Sequence, residues 1–313
     1  MSEKALREVF GESLTELGTT NPDIVVLDAD LSSATRSILF GEQFPDRFYN
    51  VGITEANMVS IGVGLSTCDL IPYVCTFSFL LTLRATDQIR SHISYSEANV
   101  KLMGTNGGLS GFSDGATHQS IMDLAILRAM PNMTVLVPSD ADQMRWAVRA
   151  VADFKGPAFI RIPRVEAPPV HQANAGYKIG QGLILREGTD VTIISIGMMV
   201  NRALTAAEQL AAKGIQAEVV EIHTLKPLDT KIIIDSAAKT GTVVTVEEHS
   251  RIGGLFSAVT EVLATDHPVP VDCVAIEDRF AGSGQYDELL AMCGLTVEHI
   301  IMKSQQMVQK KDK

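Results

Sequence analysis

The sequence predicts an α/β protein: a doubly wound, mainly parallel sheet domain over residues 1–165, a linker over 166–177 and a smaller α/β domain over 178–313. Three observations carry this. Strand-like and helix-like segments alternate through the first half. The text between Arg164 and Tyr177, "VEAPPVHQANAG", is rich in Pro and Ala and has no periodicity, as expected of a linker. A second alternating set follows it, and 313 residues are enough for two cores.

The elements follow in order. "KALREVFGESLTELG" is an amphipathic helix ending at Gly18, and "DIVVLDAD" is a strand leading into "LSSAT". "RFYNVG" runs into a helix within "VGITEANMVSIGVGLS". "DLIPYVCTF" is a strand and "TLRATDQIRSHISY" a helix with paired charges. The strand "ANVKLMGT" opens into the Gly-rich loop "NGGLSGFSDGATHQS". "IMDLAILRAM" and "DADQMRWAVRAVADF" are helices, each followed by a strand, "MTVLVPS" and "PAFIRIPR". Past the linker, "DVTIISIG", "QAEVVEIH", "TVVTVEEHS" and "VPVDCVAI" read as strands between helical segments. A polar helix closes the chain, with the tail "KSQQMVQKKDK" expected to fray.

Composition narrows the function. A hydrophobic fraction of 46% and a charged fraction of 20% are those of an ordinary globular protein. A net charge of −11 with no basic patch argues against nucleic acid and against acidic membrane surfaces. No apolar run reaches the length of a membrane span, and "MSEKALREVFGES" reads as a charged helix rather than a signal peptide. Cys68, Cys75, Cys273 and Cys293 lie in apolar contexts without metal-ligand spacing, so buried thiols of a cytoplasmic protein are expected. There is no nucleotide-binding glycine fingerprint, Walker sequence or hydrolase elbow.

A few residues stand out against this background. Glu55 heads an otherwise apolar helix in which Gly52, Gly62 and Gly64 suggest close backbone approach. A carboxylate is rarely buried without a partner. Glu55 is therefore either a first-turn acid with Thr54 as helix cap or a group that meets something in a dry site. In the Gly-rich loop, Asp114 and His118 read either as an acid–base pair or as solvated residues of a flexible surface loop. Phe77 and Phe79 share one face if their strand continues, which also suits two core aromatics. Arg164 ends a strand, where it could hold an anion or lie on the surface; Arg7 comes from a distant segment.

Taken in order, "VVLDADLSSAT", "NVGITEANMVSIGVGLS", "CTFSF", "DGATHQ" and "GPAFIRIPR" resemble the C-terminal half of transketolases, specifically the split enzymes whose halves are separate chains. The likeness runs from about Arg7 to the end. It includes "TVVTVEEHSRIGGLFSAV", which resembles the C-terminal domain that transketolases share with 2-oxo acid dehydrogenase β-subunits. The resemblance implies a pyrimidine-binding first domain, a transketolase C-terminal-type second domain, and thiamine diphosphate as cofactor.

Under it, Glu55 hydrogen-bonds a ring nitrogen of the aminopyrimidine; a carboxyl in a dry site holds its proton more tightly. That favours the imino form through which the thiazolium carbon is deprotonated. Phe77 packs on the aminopyrimidine, and Phe79 compensates for aromatics replaced by Leu80 and Leu83. Asp30 lies near the thiazolium side. His118 contacts donor hydroxyls and the covalent intermediate, Asp114 reads hydroxyl configuration, and Arg7 and Arg164 bind the substrate phosphate. Two departures, Ala34 for a serine and Asn106 for a histidine, fall at the phosphate end and argue against the ordinary sugar phosphates.

The family's "GDG" and Asn, which hold Mg2+ on the diphosphate, do not occur here. The resemblance therefore implies an N-terminal partner chain that carries them, in an assembly of two α and two β chains. The implied reaction moves a two-carbon ketol unit from a ketose, as a phosphate or related anion, to an aldose. The alternatives are a 2-oxo acid dehydrogenase β-subunit and a non-catalytic assembly subunit; "DGATHQ" favours sugar chemistry.

Overall fold

The computed structural model describes residues 4–171 and 175–311, so part of the linker expected over 166–177 lies outside the described residues. Among those described, six strands come before the linker: β1 (Ile24–Asp28), β2 (Phe48–Asn50), β3 (Ile71–Phe77), β4 (Lys101–Thr105), β5 (Thr134–Leu136) and β6 (Ala158–Ile162). Six follow it: β7 (Leu183–Arg186), β8 (Val191–Ser195), β9 (Ala217–Glu221), β10 (Thr224–Lys226), β11 (Val243–Ser250) and β12 (Val271–Ile276). They form one sheet in the order β10-β5-β6-β4-β3-β1-β2 and another in the order β12-β11-β8-β9-β7. All pairings are parallel except β10 with β5 and β7 with β9. Strands such as "VTIIS" and "AFIRI" are buried along their whole length, as parallel strands covered on both faces require.

The strand order places a functional crevice. From β1 the chain steps to β2 on one side and then crosses to β3 on the other, so the direction of winding reverses between β1 and β3. Open α/β sheets bind ligands at the carboxyl ends of the strands at such a switch point.

Several elements differ from the sequence reading. Strand β3 stops at Phe77, and a helix, Ser78–Arg84, takes over, so Phe79 is helical and does not share a strand face with Phe77. The turn is fixed by Ser78, whose hydroxyl donates to Asp123 Oδ2 at 2.7 Å. The single helix expected through "TLRATDQIRSHISY" breaks at Ala85 and continues as a short turn, Thr86–Gln88, and a wide π-turn, Ile89–Ser94. The first helix runs Leu6–Thr20, past Gly18. The tail is not frayed within the described residues: Val297–Lys311 is one helix, anchored by buried Ile300, Ile301 and Met307. Of the helix glycines, Gly62 is needed because a side chain there would collide with Val74, whereas Gly64 faces open space. Cys75, Cys273 and Cys293 are buried, but Cys68 is exposed; all four are free thiols. Among the described residues no helix is long and apolar enough to cross a membrane.

The two sheets are welded rather than merely tethered. Strand β10 follows β9 in sequence yet crosses to pair with β5, Thr224 opposite Leu136. One buried apolar cluster accordingly runs from Leu27, Met58 and Val74 through Leu127 and Val135 to Ile194, Val220 and Leu255. A buried ionic latch ties the linker to both halves: His171 Nδ1 lies 3.0 Å from Asp140 Oδ2, and its Nε2 lies 2.6 Å from Glu221 Oε2. Burial alone would lower the His171 pKa, but the two carboxylates outweigh it and hold it at about 9. Burial would likewise raise the Asp140 pKa. The bond to His171 and three backbone N–H groups instead bring it to about 2.

Candidate active site

Glu55 is the first residue of the helix Glu55–Ser66, delivered there by β2 and a turn with left-handed Gly52. The side chain of Thr54 does not cap this helix; its hydroxyl donates back to Val51 O. Glu55 is 4% exposed and, among the described residues, has a single charged partner, Arg84, whose Nη1 approaches its two carboxylate oxygens at 3.1 and 3.3 Å. Glu55 is thus a buried acid in the first turn of its helix, with no Thr54 side-chain cap beside it.

The carboxylate faces a cavity of about 370 Å3 at the β1/β3 switch point. Asp30 and Leu31 come from the turn after β1, Phe77 from the end of β3, and Phe79, Leu80 and Arg84 from the following helix. Ile53 adds an apolar wall, and Thr117 and His118 close the rim. The Phe77 and Phe79 ring centroids are 6.3 Å apart, and Phe79 lies 5.0 Å from His118 in a tilted stack. Thus Glu55, Asp30, Phe77, Phe79 and His118, drawn from four separate stretches of sequence, meet around one space.

The turn carrying Asp30 is built by a buried acid that sequence reasoning missed. Asp28 Oδ1 accepts the Leu31 N–H at 2.6 Å, and its Oδ2 accepts the hydroxyls of Thr35 at 2.8 Å and Ser37 at 2.9 Å. Burial raises the Asp28 pKa, and these donors oppose it. Asp30 itself sits at φ 63° and exchanges hydrogen bonds with the Asn50 side chain.

The remaining predicted residues lie beyond the cavity wall. The Gly-rich loop divides in two: residues 106–111 are buried, whereas Asp114 is exposed and His118 half-buried, on two single turns, Phe112–Asp114 and Ala116–His118. Arg164 Nη1 reaches Asp114 Oδ2 at 3.4 Å, and its guanidinium lies over Phe112. Arg7 Nη1 donates to the backbone oxygen of Ala34 at 3.1 Å. Burial lowers the Arg7 pKa, and the nearby charge of Arg164 lowers it further. These arginines therefore converge from distant segments. Asn106 is fully buried at φ 56°, and among the described residues neither Oδ1 nor Nδ2 has a hydrogen-bond partner.

A charged scaffold supports the cavity from behind. Arg161, inside the apolar strand β6, donates through Nε to Asp123 Oδ2 at 2.9 Å, the same oxygen that holds Ser78. Its other nitrogens donate to the backbone oxygens of Glu248 and Ser120. A charge within a buried strand is the one signal that could have found Arg161. Arg84 carried no such signal, because only the fold brings it to Glu55.

The cavity fits the aminopyrimidine ring of thiamine diphosphate. Phe77, Phe79, Leu31, Ile53 and Leu80 give it apolar and aromatic lining, and Glu55 is its one buried carboxylate, a group able to hydrogen-bond a ring nitrogen.

Two family models together match nearly the whole chain: "Transketolase, pyrimidine binding domain" over residues 2–169 and "Transketolase, C-terminal domain" over residues 180–300. The chain belongs to the transketolase family. Its similarity extends over full-length subunits of split enzymes. It is 39% identical over 312 residues to the 6-deoxy-6-sulfo-D-fructose transketolase subunit SqwH of Clostridium sp. (strain MSTE9), covering 100% of this chain and 97% of the other. It is 36% identical over 307 residues to one of the subunits of the apulose-4-phosphate transketolase of Phocaeicola vulgatus, covering 98% of each. Among solved structures it matches a split-gene transketolase described as an inactive beta4 tetramer, with 44% identity, a TM-score of 0.91 and coverage of 99% of this chain and 100% of that one. Family membership implies dependence on thiamine diphosphate, and the split relatives imply a partner subunit.

Proposed function

We propose that this chain is the C-terminal subunit of a two-chain transketolase that moves a two-carbon ketol unit from a ketose carrying a terminal anion to an aldose. The observation that carries this is the Glu55 carboxylate buried in the wall of an apolar, Phe-lined cavity with His118 at its rim. Thiamine diphosphate, when bound, supplies the electron sink for breaking the C2–C3 bond of the donor. The residues of this chain do the rest. Glu55 hydrogen-bonds a ring nitrogen of the aminopyrimidine, for which it exchanges its contact with Arg84. Phe77 and Phe79 hold the ring and exclude water, with Asp30 toward the thiazolium side. His118 and Asp114 take the donor hydroxyls, and Arg7 and Arg164 take the terminal anion.

The partner is an N-terminal subunit holding the diphosphate through Mg2+, in an assembly of two α and two β chains. The absence of a "GDG" sequence and the full-length match to split subunits support this. So does an apolar groove of about 500 Å3 beside the cavity, lined in part by exposed Leu83, Met122 and Phe280. The dehydrogenase alternative is not favoured, since these relatives are transketolases. The four free thiols suit a cytoplasmic location.

The substrate anion is read as different from an ordinary pentose or hexose phosphate. Ala34 and Asn106 support this, and the two relatives are named for a sulfosugar and for apulose 4-phosphate. Reconstitution tests the function. The chain co-expressed with its N-terminal partner, supplied with thiamine diphosphate and Mg2+, is expected to transfer ketol units from one of a panel of phosphorylated and sulfonated ketoses. Each chain alone is expected to be inactive. A complex that decarboxylates 2-oxo acids and transfers no ketol unit would overturn the assignment.

A further inference from the structure

We propose that Glu248, in the second domain, is the positioning residue for the substrate loop: by holding the neck of that loop it sets the places of Asp114 and His118. The role rests on the function proposed above. Glu248 is buried at the end of β11. Its Oε1 accepts the Leu109 N–H at 2.5 Å, and its Oε2 accepts the Tyr286 hydroxyl at 2.7 Å. No other side chain from the second domain accepts a backbone N–H of this loop among the described residues.

The contact falls where it has the most leverage. Gly108 and Ser120 close the loop on itself through two backbone hydrogen bonds, at 3.0 and 2.9 Å, so Asp114 and His118 hang from one neck. Gly108 adopts φ +65°, and a side chain there would run into the Glu248 carboxylate. The carboxylate therefore fills the place a larger residue would occupy. Arg161 completes the neck by bridging the backbone oxygens of Ser120 and Glu248, at 2.6 and 3.0 Å. Gln119 Nε2 adds a bond to Gly282 O at 2.9 Å. Removing the Glu248 carboxylate leaves the buried Leu109 N–H without an acceptor and opens space under the neck, so the loop shifts to find a new partner. A displacement of about 1 Å in positioning groups can cost roughly 100-fold in rate.

The test uses two readouts on the same variants. In the free chain, Glu248→Ala is expected to speed amide hydrogen exchange across residues 107–120 with the rest of the pattern kept. In the reconstituted complex it is expected to flatten, by tenfold or more, the kcat/KM ratio between donor ketoses epimeric at the hydroxyls that Asp114 and His118 hold. Glu248→Gln, which can accept from Leu109 and donate to Tyr286, is expected to restore both. If Glu248→Ala does not fold, Glu248→Asp, one methylene shorter, is expected to show the same losses. A Glu248→Ala or Glu248→Asp chain with unchanged loop protection and unchanged epimer discrimination would overturn the proposal, as would a lowered melting temperature with discrimination intact. A wild-type complex without ketol transfer would defeat the functional reading instead, leaving the exchange data to decide whether Glu248 holds the loop.

Discussion

Glu55→Ala in the reconstituted enzyme is expected to lower kcat by roughly 10²–10⁴-fold at saturating thiamine diphosphate, the range of a positioned acid–base group. Folding should survive. The helix Glu55–Ser66 does not depend on Glu55 as a cap, and its apolar contacts through Met58 and Val59 remain. Arg84, the charged partner of Glu55, is largely exposed, so losing the pair leaves a solvated guanidinium rather than a buried orphan. A thermal midpoint close to wild type, together with the loss of turnover, would separate chemistry from structure. Near-normal turnover would mean that Glu55 does no more than favour its helix start.

The double substitution Ala34→Ser, Asn106→His is expected to raise kcat/KM for xylulose 5-phosphate with ribose 5-phosphate by one to two orders of magnitude. Under the proposed function, each substitution introduces a hydrogen-bonding side chain at the end of the pocket that takes the substrate anion. A bond to a charged partner is worth about 1.5–3 kcal/mol, or roughly 10- to 150-fold at full strength. The structure tempers the sum. Ala34 already offers its backbone oxygen to Arg7, and a serine there adds a hydroxyl beside that guanidinium. Asn106 is fully buried, so the larger imidazole must displace neighbours, although histidine tolerates a positive φ better than most residues. One to two orders therefore stand in place of the full product. Efficient wild-type turnover of these phosphates that the double substitution fails to improve would show that the partner subunit supplies the missing contacts.

The text of the chain disclosed what is local and what is ordered along it. Alternating strands and helices gave the sheet, and the motifs around Glu55 and His118 marked residues that meet at one cavity. Contacts between distant segments stayed hidden. The capture of β10 by the first sheet depends on how two domains pack, because a three-residue strand has no periodicity of its own. The strand expectation for Phe79 fails because "CTFSFLL" is equally apolar as strand or helix, and the buried Ser78–Asp123 bond chooses between them. The Glu55–Arg84 pair and the Glu248–Leu109 bond join residues 29 and 139 positions apart. Nothing in either local sequence points to the other.

Under the proposed function, this chain forms half of a cofactor site, carrying the aminopyrimidine end alone. Calorimetric titration of thiamine diphosphate with Mg2+ measures this directly, first into the purified chain and then into the complex with its N-terminal partner. A cofactor whose diphosphate has no counter-ion gains little from the apolar end. Binding to the isolated chain is therefore expected to be weak or undetectable, and binding to the complex tight and Mg2+-dependent. Tight, Mg2+-dependent binding by the isolated chain would contradict the claim.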